Sequence, residues 1–155
     1  MLSFNRVKAS LSRLAETDVS DDALYLRATE SLWFAWEDKK PLFEEEEKAE
    51  ALRLFKRTLT PFMFVFNEIL DNLNREKIRE TLSFVSGLQY LCDEFRDDPS
   101  LYATLIEQLM NSEAITECRT IAEWYKDDPT ESYAETFRLK DIPKNHVWWF
   151  ARKPQ

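Results

Sequence analysis

The 155-residue sequence contains one glycine, one histidine and two cysteines. Phosphate-binding loops and dinucleotide-binding fingerprints each need several glycines within one short loop, so a lone Gly87 excludes both. Zinc sites need three or four cysteine or histidine ligands at short spacing, and Cys92, Cys118 and His146 do not provide them. We expect both cysteines to be reduced thiols within helices, as is typical of a reducing compartment.

The sequence also lacks a long apolar run and an excess of basic residues. No stretch approaches the roughly 18 consecutive apolar residues of a membrane-spanning helix, so we expect no membrane association. The 21 basic and 29 acidic residues give a formal net charge of −8. Phosphate binding requires a basic face, so this charge argues against direct nucleic-acid binding and favours a basic protein partner. We therefore expect a cytoplasmic protein.

The residues that are abundant point to helices. Hydrophobic residues make up 44% of the chain, many of them recurring at helical spacing, and the prolines lie where helices would begin or end. We predict an all-α, single-domain bundle of about seven helices, mostly antiparallel neighbours, in residues 1–140. An extended aromatic C-terminal segment, residues 141–155, is predicted to pack on this domain or on a partner.

The first two predicted helices differ in how they should be buried. Residues 1–15 contain three basic residues and no acidic residue, which resembles an organelle transit peptide. We interpret them as a first helix that docks an apolar stripe of Phe4, Val7, Leu11 and Leu14 on the domain. The second helix, with Ser20 as its N-cap, contains the run SLWFAW, whose apolar residues on all sides predict a central position.

Two later helices provide further expectations. The third helix is predicted to begin at Pro41 and to bury a stripe of Leu52, Phe55 and Leu59. Gly87 falls inside a fifth predicted helix, where glycine costs about 1 kcal/mol relative to alanine. We expect that another helix approaches closely at this position.

A short acidic motif occurs twice, as FRDDPS at residues 95–100 and as YKDDPT at residues 125–130. In each copy a cation ends one helix, and the second aspartate, Asp98 or Asp128, can cap the next helix before a proline at its first position. Glu131 would complete an acidic capping box with Asp128. The repeat therefore predicts helix boundaries and not a ligand site.

The remaining chemistry is that of carboxylates. EEKAE at residues 46–50 and EILD at residues 68–71 resemble the EExxE and ExxD signature of the all-α MazG-type nucleotide pyrophosphohydrolases. The resemblance implies a magnesium ion that holds a nucleoside triphosphate. The ligands that it implies are Glu47, Glu50, Glu68 and Asp71.

Helical geometry argues against convergence of these carboxylates. At about 100° per residue, Glu47 and Glu50 fall opposite the predicted core stripe of the third helix. A fourth helix is predicted to begin at Pro61 with a core stripe of Phe62, Phe66, Ile69 and Leu73. Asp71 falls away from that stripe. Ligands that share a metal must converge, so we rank the hydrolase below a non-catalytic function.

The aromatic C-terminal segment is the most unusual feature. Trp148, Trp149 and Phe150 stand beside Arg152, and these residue types are enriched in binding hot spots. They either cover the protein's own core or contact a partner or dimer mate.

We therefore predict a non-catalytic interaction or regulatory protein without a cofactor, which binds another protein through a helix face or through the C-terminal segment. Binding to a second copy of the chain, as a homodimer, is also compatible with this prediction. One alternative is an acidic inhibitor, or nucleic-acid mimic, that acts on a basic nucleic-acid-binding protein. The second alternative is the magnesium-dependent hydrolase.

Overall fold

The computed structural model describes the residues 6–18, 20–39, 42–58, 61–62, 65, 68, 78–98, 120 and 131–150. Of these residues 71% are helical and none lies in a β-strand, in agreement with the predicted all-α class. None of the helices formed by these residues has both the length and the apolar character needed to cross a membrane.

Five α-helices and two 3-10 helices lie in the described part of the chain. The α-helices are α1 (Arg6–Ala15), α2 (Leu24–Asp38), α3 (Lys48–Arg57), α4 (Ile78–Glu94) and α5 (Tyr133–Thr136). The 3-10 helices are Glu45–Glu47, which leads directly into α3, and Val147–Phe150, which we call the aromatic turn. Because these four residues form a 3-10 helix, the expectation of an extended C-terminal segment was wrong for this part of it.

Helix α1 docks as its periodicity predicts. Val7, Leu11 and Leu14 are all fully buried, because a spacing of three or four residues places them on one face. At one end of α1, Arg6 Nε donates to Asp38 Oδ1 over 2.8 Å. Further along, Arg13 pairs with Glu30, so α1 runs antiparallel to α2.

Helix α2 begins later than its predicted cap. Asp18 accepts a hydrogen bond from the backbone N–H of Ser20 at 3.0 Å, and Asp21 accepts one from Ala23 at 2.8 Å. Such side-chain bonds two residues ahead compete with the helix and form a turn instead. Ser20 is therefore part of this turn, and α2 starts at Leu24 without a side-chain cap.

Helix α4 is the most completely buried of the described helices. Every residue of α4 from Thr81 to Asp93 is buried, whereas α2 leaves Leu26 67% exposed and Trp33 38% exposed. Helix α2 nevertheless packs against both α1 and α4, so the central position predicted from the SLWFAW run agrees with the described contacts. A continuous apolar run reports hydrophobicity on all sides of a helix, but the neighbouring helices decide which sides are covered.

The glycine in α4 marks the closest approach of two helices. A Cβ atom built on Gly87 would lie 2.0 Å from the carbonyl oxygen of Leu32 in α2. No side chain fits there, so the backbone of α2 occupies the space that a Cβ would need. The expected close approach at Gly87 is confirmed.

Helices α2 and α4 run parallel to each other. Trp33 contacts Phe84, with ring centroids 6.3 Å apart, and one turn later Trp36 contacts Tyr90 at 6.2 Å. Residue numbers rise together along both helices, which corrects the expectation of mostly antiparallel neighbours for this pair. Helices that are adjacent in space but not in sequence are free to run in the same direction.

Helix α3 also differs in detail from its prediction. The glutamates at 45–47 form a 3-10 helix before the α-helix begins, and the buried residues of α3 are Ala51, Leu54 and Phe55. Leu52 is only half-buried. The predicted stripe was right at Phe55 but did not include Ala51 and Leu54. Each of these lies next to a residue of the predicted stripe, on its N-terminal side.

A capping box starts α5, but with other residues than predicted. The Ser132 hydroxyl accepts from the backbone N–H of Glu135, and the Glu135 carboxylate accepts from the backbone N–H of Ser132. This reciprocal pair satisfies two donors at the helix start. Glu131 takes no part in it, so the box lies four residues after Asp128, its predicted cap.

The remaining helix boundaries are only partly described. Helix α4 ends at Glu94 and a turn follows through Phe95–Asp97, which agrees with the predicted boundary before Asp98. Several other predicted positions lie outside the described residues: Pro41, Leu59, Phe66, Asp71, Cys118, Asp128 and Arg152.

Candidate interaction site

The two tryptophans that were candidates for partner binding lie in the core. Trp148 and Trp149 are both fully buried, and Phe150 is 44% exposed. The Trp149 ring stacks on Trp36 of α2, with centroids 5.2 Å apart, and meets Phe137 edge-on at 6.4 Å. In this conformation neither indole is accessible to another protein, and the aromatic turn covers its own domain.

A single serine of α4 holds this turn in place. The indole N–H groups of Trp148 and Trp149 both donate to Ser86 Oγ, at 3.0 Å and 2.6 Å. His146 Nδ1 lies 2.9 Å from the same oxygen. We refer to these four side chains as the Ser86 cluster.

The hydrogen-bond inventory sets the protonation of the cluster. A hydroxyl oxygen has two lone pairs and one proton. Because both lone pairs of Ser86 accept indole N–H groups, its proton is directed to His146 Nδ1, which must then be unprotonated. Ser86 and His146 resemble a nucleophile and base, but the oxygen is fully engaged and both side chains are completely buried, so the pair serves structure.

A second polar group in α4 anchors the segment just before the turn. Asp93 Oδ2 accepts from the Asn145 side chain at 3.1 Å, and Asp93 Oδ1 accepts from Gln89 at 2.9 Å and from Arg96 at 2.8 Å. Ser86, Gln89 and Asp93 recur at helical spacing, so they form one polar stripe on α4. Sequence periodicity did not reveal this stripe, since it was read for apolar residues alone.

Two of the four carboxylates of the hydrolase alternative meet, but at the ammonium group of a lysine. Glu47 and Glu50 both contact Lys8 Nζ of α1, at 3.4 Å and 3.0 Å. Glu68 is half-buried, and Asp71 lies outside the described part of the chain. Among the described residues, no group of three or more histidine, cysteine, aspartate or glutamate side chains is arranged to hold a metal ion.

The ion pair between Lys8 and Glu50 shifts the pKa of both groups. Hydrogen bonding to Lys8, followed by its charge, lowers the pKa of Glu50, and hydrogen bonding to Glu50 raises the pKa of Lys8. Both groups are therefore more firmly charged than usual near neutral pH. An ammonium group occupies the position at which the resemblance would place magnesium beside Glu47 and Glu50.

The thiol of Cys92 is chemically quiet. Its side chain is fully buried in α4, and burial raises the pKa of the thiol far above its ordinary value, with a further contribution from Asp93. A thiolate is the reactive species, so this cysteine acts as a small apolar residue. The prediction of a buried thiol within a helix is confirmed for Cys92.

An open apolar groove lies between α2 and the N-terminal half of α4. The cavity has a volume of about 620 Å³, and we call it the α2–α4 groove. Its lining residues are Leu26, Thr29, Glu30, Trp33, Arg79, Glu80 and Phe84. Leu26 and Trp33, seven residues apart on α2, leave large apolar surfaces exposed here.

Sequence reasoning missed these two residues. The buried stripe of α2 includes Leu24, Ala28 and Leu32, and Leu26 and Trp33 fall off that stripe at helical spacing of their own. Two apolar residues repeated on the far side of an amphipathic helix are a signal for a second contact surface.

Charges surround the groove unevenly. Glu30 is paired with Arg13, and the Arg79 guanidinium lies over the Phe137 ring, 5.1 Å from its centroid. Glu80 is exposed and forms no ion pair within the described part of the chain. Burial raises the pKa of the neighbouring Tyr25, and the negative charges of Glu80 and Glu68 raise it further.

The exposed face of Phe150 is the other candidate surface. It borders a smaller cavity of about 330 Å³ beside α5, lined mainly by polar and charged residues. The α2–α4 groove is larger and presents two large apolar side chains instead of one. No protein-family model, curated protein or solved structure matches this chain, so geometry, burial and charge carry the functional assignment.

Proposed function

We propose that this protein is a non-catalytic, cytoplasmic interaction protein that binds another protein through the α2–α4 groove. In this proposal residues 1–140 form one helical domain of about seven helices, and the C-terminal segment completes its core. The site is thus the helix face of the two surfaces predicted from the sequence, and the buried tryptophans hold the domain together. A homodimer through the same groove is the other form that such binding can take.

One observation carries this proposal. Leu26 is 67% exposed and Trp33 is 38% exposed on the same side of α2, above a buried Phe84. Burying an exposed leucine or tryptophan in an interface stabilises the complex by roughly 25 cal/mol per Å² of apolar area. Large side chains that line one cavity are typical of the centre of a protein–protein interface.

The two alternative functions have weaker support. An acidic inhibitor needs a continuous acidic face, whereas Glu37, Asp38 and Glu30 pair with arginines of α1. The hydrolase needs convergent carboxylates, whereas Glu47 and Glu50 contact Lys8. Both alternatives remain hypotheses, and neither uses Leu26 or Trp33.

The test compares two exposed apolar residues. Leu26→Gln removes the most exposed apolar side chain of the groove and retains a good helix former, and Phe150→Gln makes a similar change at the C-terminal surface. Wild-type protein and both variants, each carrying the same affinity tag, are used to capture partners, which are quantified by mass spectrometry. We expect specific partners to be retained by Phe150→Gln and depleted at least about fivefold by Leu26→Gln.

The opposite pattern would transfer the site to the C-terminal surface. Equal capture by all three proteins would remove both surfaces as binding sites. Circular dichroism of each variant checks that the fold is unchanged, which we expect because both side chains are exposed.

A further inference from the structure

We infer that the occupant of the α2–α4 groove is an amphipathic helix of a partner protein that carries lysine or arginine beside its apolar face. This inference rests on the proposed function and adds the chemistry of the partner. It is derived from the shape of the groove and from Glu80, an exposed carboxylate on its rim that forms no ion pair within the described residues.

The shape of the groove suits a helix better than a small molecule. Small-molecule sites enclose most of the ligand surface, whereas the groove is open along one side and leaves Leu26 and Trp33 exposed to solvent. From Leu26 to Trp33 the wall formed by α2 rises about 10 Å, or two helical turns. An incoming amphipathic helix presents anchors at i, i+3 or i+4 and i+7, which span the same length.

An exposed carboxylate on the rim favours a basic helix. Glu30 is paired with Arg13, and Arg79 keeps its positive charge while its guanidinium lies over the Phe137 ring. Glu80 is exposed on the α4 side of the groove. A lysine or arginine of the partner can form an ion pair with it, whereas an acidic side chain would be repelled. Burial is the main cause of the raised pKa of Tyr25 on α2, and the negative charges of Glu80 and Glu68 raise this pKa further. These two carboxylates therefore make the electrostatic potential negative beside the groove.

Synthetic peptides of about 18 residues, long enough to form helices, test the inference directly. The first has leucines at helical spacing and lysines elsewhere. The second replaces the lysines by glutamates, and the third is a scrambled form of the first. Each peptide carries a fluorophore and is titrated with the intact protein, with binding followed by fluorescence anisotropy.

We expect the lysine peptide to bind at least about tenfold more tightly than the glutamate peptide at low salt, with the difference reduced at high salt. The scrambled peptide, which has the same charge but no apolar face, should bind at least about tenfold more weakly than the first. Equal binding of the scrambled and ordered lysine peptides would overturn the inference, because it would indicate attraction to the net charge alone.

Two charge-reversal variants locate the recognition. Glu80→Lys and Glu46→Lys change the net charge equally, but Glu46 is exposed in the 3-10 helix before α3 and does not line the groove. Glu80→Lys should weaken binding of the lysine peptide by about fivefold and Glu46→Lys by less than about twofold. Equal effects would contradict recognition at Glu80.

Leu26→Gln separates the two proposals. If it removes capture of cellular partners while wild-type protein does not prefer the lysine peptide, the groove binds protein and the partner chemistry is wrong. If it changes neither capture nor peptide binding, the proposed function fails as well. Sedimentation of the protein alone adds one outcome: a dimer that Leu26→Gln dissociates would make a second copy the occupant and overturn the basic-helix inference.

Discussion

At its C-terminal half α4 presents Ser86, Gln89 and Asp93 to the chain's own aromatic turn, whereas at its N-terminal half Phe84 lies at the base of an open groove. We call the C-terminal half of α4, under the aromatic turn, the covered end and the N-terminal half, at the groove, the open end. Each has a large aromatic side chain of α2 beside it, Trp36 at the covered end and Trp33 at the open end. The covered end has a polar stripe that satisfies the indole N–H groups of its cover. The open end offers apolar surface and an exposed carboxylate.

This difference shows what closes a surface of α4. Tryptophan contributes a large apolar area but has one N–H donor that needs a partner when it is buried. Ser86 provides that partner for two indoles, so the protein covers this end by itself. Among the described residues, Leu26 and Trp33 of the groove stay exposed, which is why we propose the open end as the surface that binds another protein.

The largest effect should come from breaking the contact on which both ends depend. Gly87→Ala would place a Cβ 2.0 Å from the Leu32 carbonyl oxygen, and α2 would have to move away from α4. We expect the free energy of unfolding to fall by about 3 kcal/mol. Helix propensity alone would raise it by about 1 kcal/mol. Urea denaturation measures the change in the free energy of unfolding, and its sign shows which of the two effects is larger. A variant that is more stable than the wild-type protein would contradict the close approach.

The covered end should depend on Ser86 and not on its neighbour Ser83. Ser86→Ala leaves two buried indole donors without their acceptor, and we expect a loss of about 2 to 3 kcal/mol. Ser83 is also buried but donates only to the Arg79 carbonyl oxygen, one turn back. Ser83→Ala should therefore cost no more than about 1 kcal/mol. Equal losses by urea denaturation would show that the Ser86 cluster does not anchor the aromatic turn.

A smaller, stabilising effect is expected where the chain turns from α5 toward the covered end. Arg138 has a positive φ of 54°. The Leu139 N–H bonds to Ala134 O and the Arg138 N–H bonds to Glu135 O, an arrangement in which glycine is usual at the Arg138 position. Arg138→Gly should stabilise the protein by about 0.5 to 1 kcal/mol.

Arg53 provides the matched control for that change. It is exposed within α3, where a helical backbone disfavours glycine, so Arg53→Gly should destabilise the protein by about 1 kcal/mol. Thermal unfolding of both variants should show shifts of opposite sign. Shifts of the same sign would mean that the positive φ at Arg138 does not govern its stability.

The smallest expected effect is a change in the pKa of a tyrosine, which distinguishes Tyr25 at the open end from Tyr90 at the covered end. Burial raises the pKa of both Tyr25 and Tyr90, with added contributions from Glu80 and Glu68 at Tyr25 and from Asp93 and Asp141 at Tyr90. Glu80→Gln should lower the pKa of Tyr25 and leave that of Tyr90 unchanged. NMR titration of the tyrosine ring signals measures both, and a shift at Tyr90 would contradict the separation of the two ends.

The same pKa shifts set a pH dependence of stability. A pKa that is higher in the folded protein means that folding favours the neutral phenol, so the stabilisation is fully present below the unfolded pKa of about 10. It is lost as the pH rises through the folded value. Tyr90 is 2% exposed and Tyr25 is 46% exposed, so Tyr90→Phe should reduce this alkaline loss more than Tyr25→Phe.

Local signals in the sequence were sufficient for several parts of the fold. The apolar spacing of α1 predicted its buried face, and the lone glycine in α4 predicted a close helix contact. These succeeded because each depends on a period of 3.6 residues or on the size of one side chain. The start of α2 was misplaced because Asp18 and Asp21 form a turn where Ser20 was expected to cap the helix.

The candidate site was less accessible from the sequence. Trp148 and Trp149 were recognised as the most unusual residues, but whether they faced a partner or the core was left open. The answer depends on Ser86, sixty-two residues before Trp148, and no local pattern connects the two. The groove was missed because its walls come from α2 and α4, whose parallel contact was not predicted.

By itself the sequence determined the helical class, the apolar face of α1 and the need for close packing at Gly87, because these follow from side-chain size and periodicity. Only the tertiary structure decided how completely each helix is buried, which aromatic residues are covered and where a groove stays open. Those outcomes depend on contacts between residues distant in sequence, and such contacts are set by the packing of whole helices against one another.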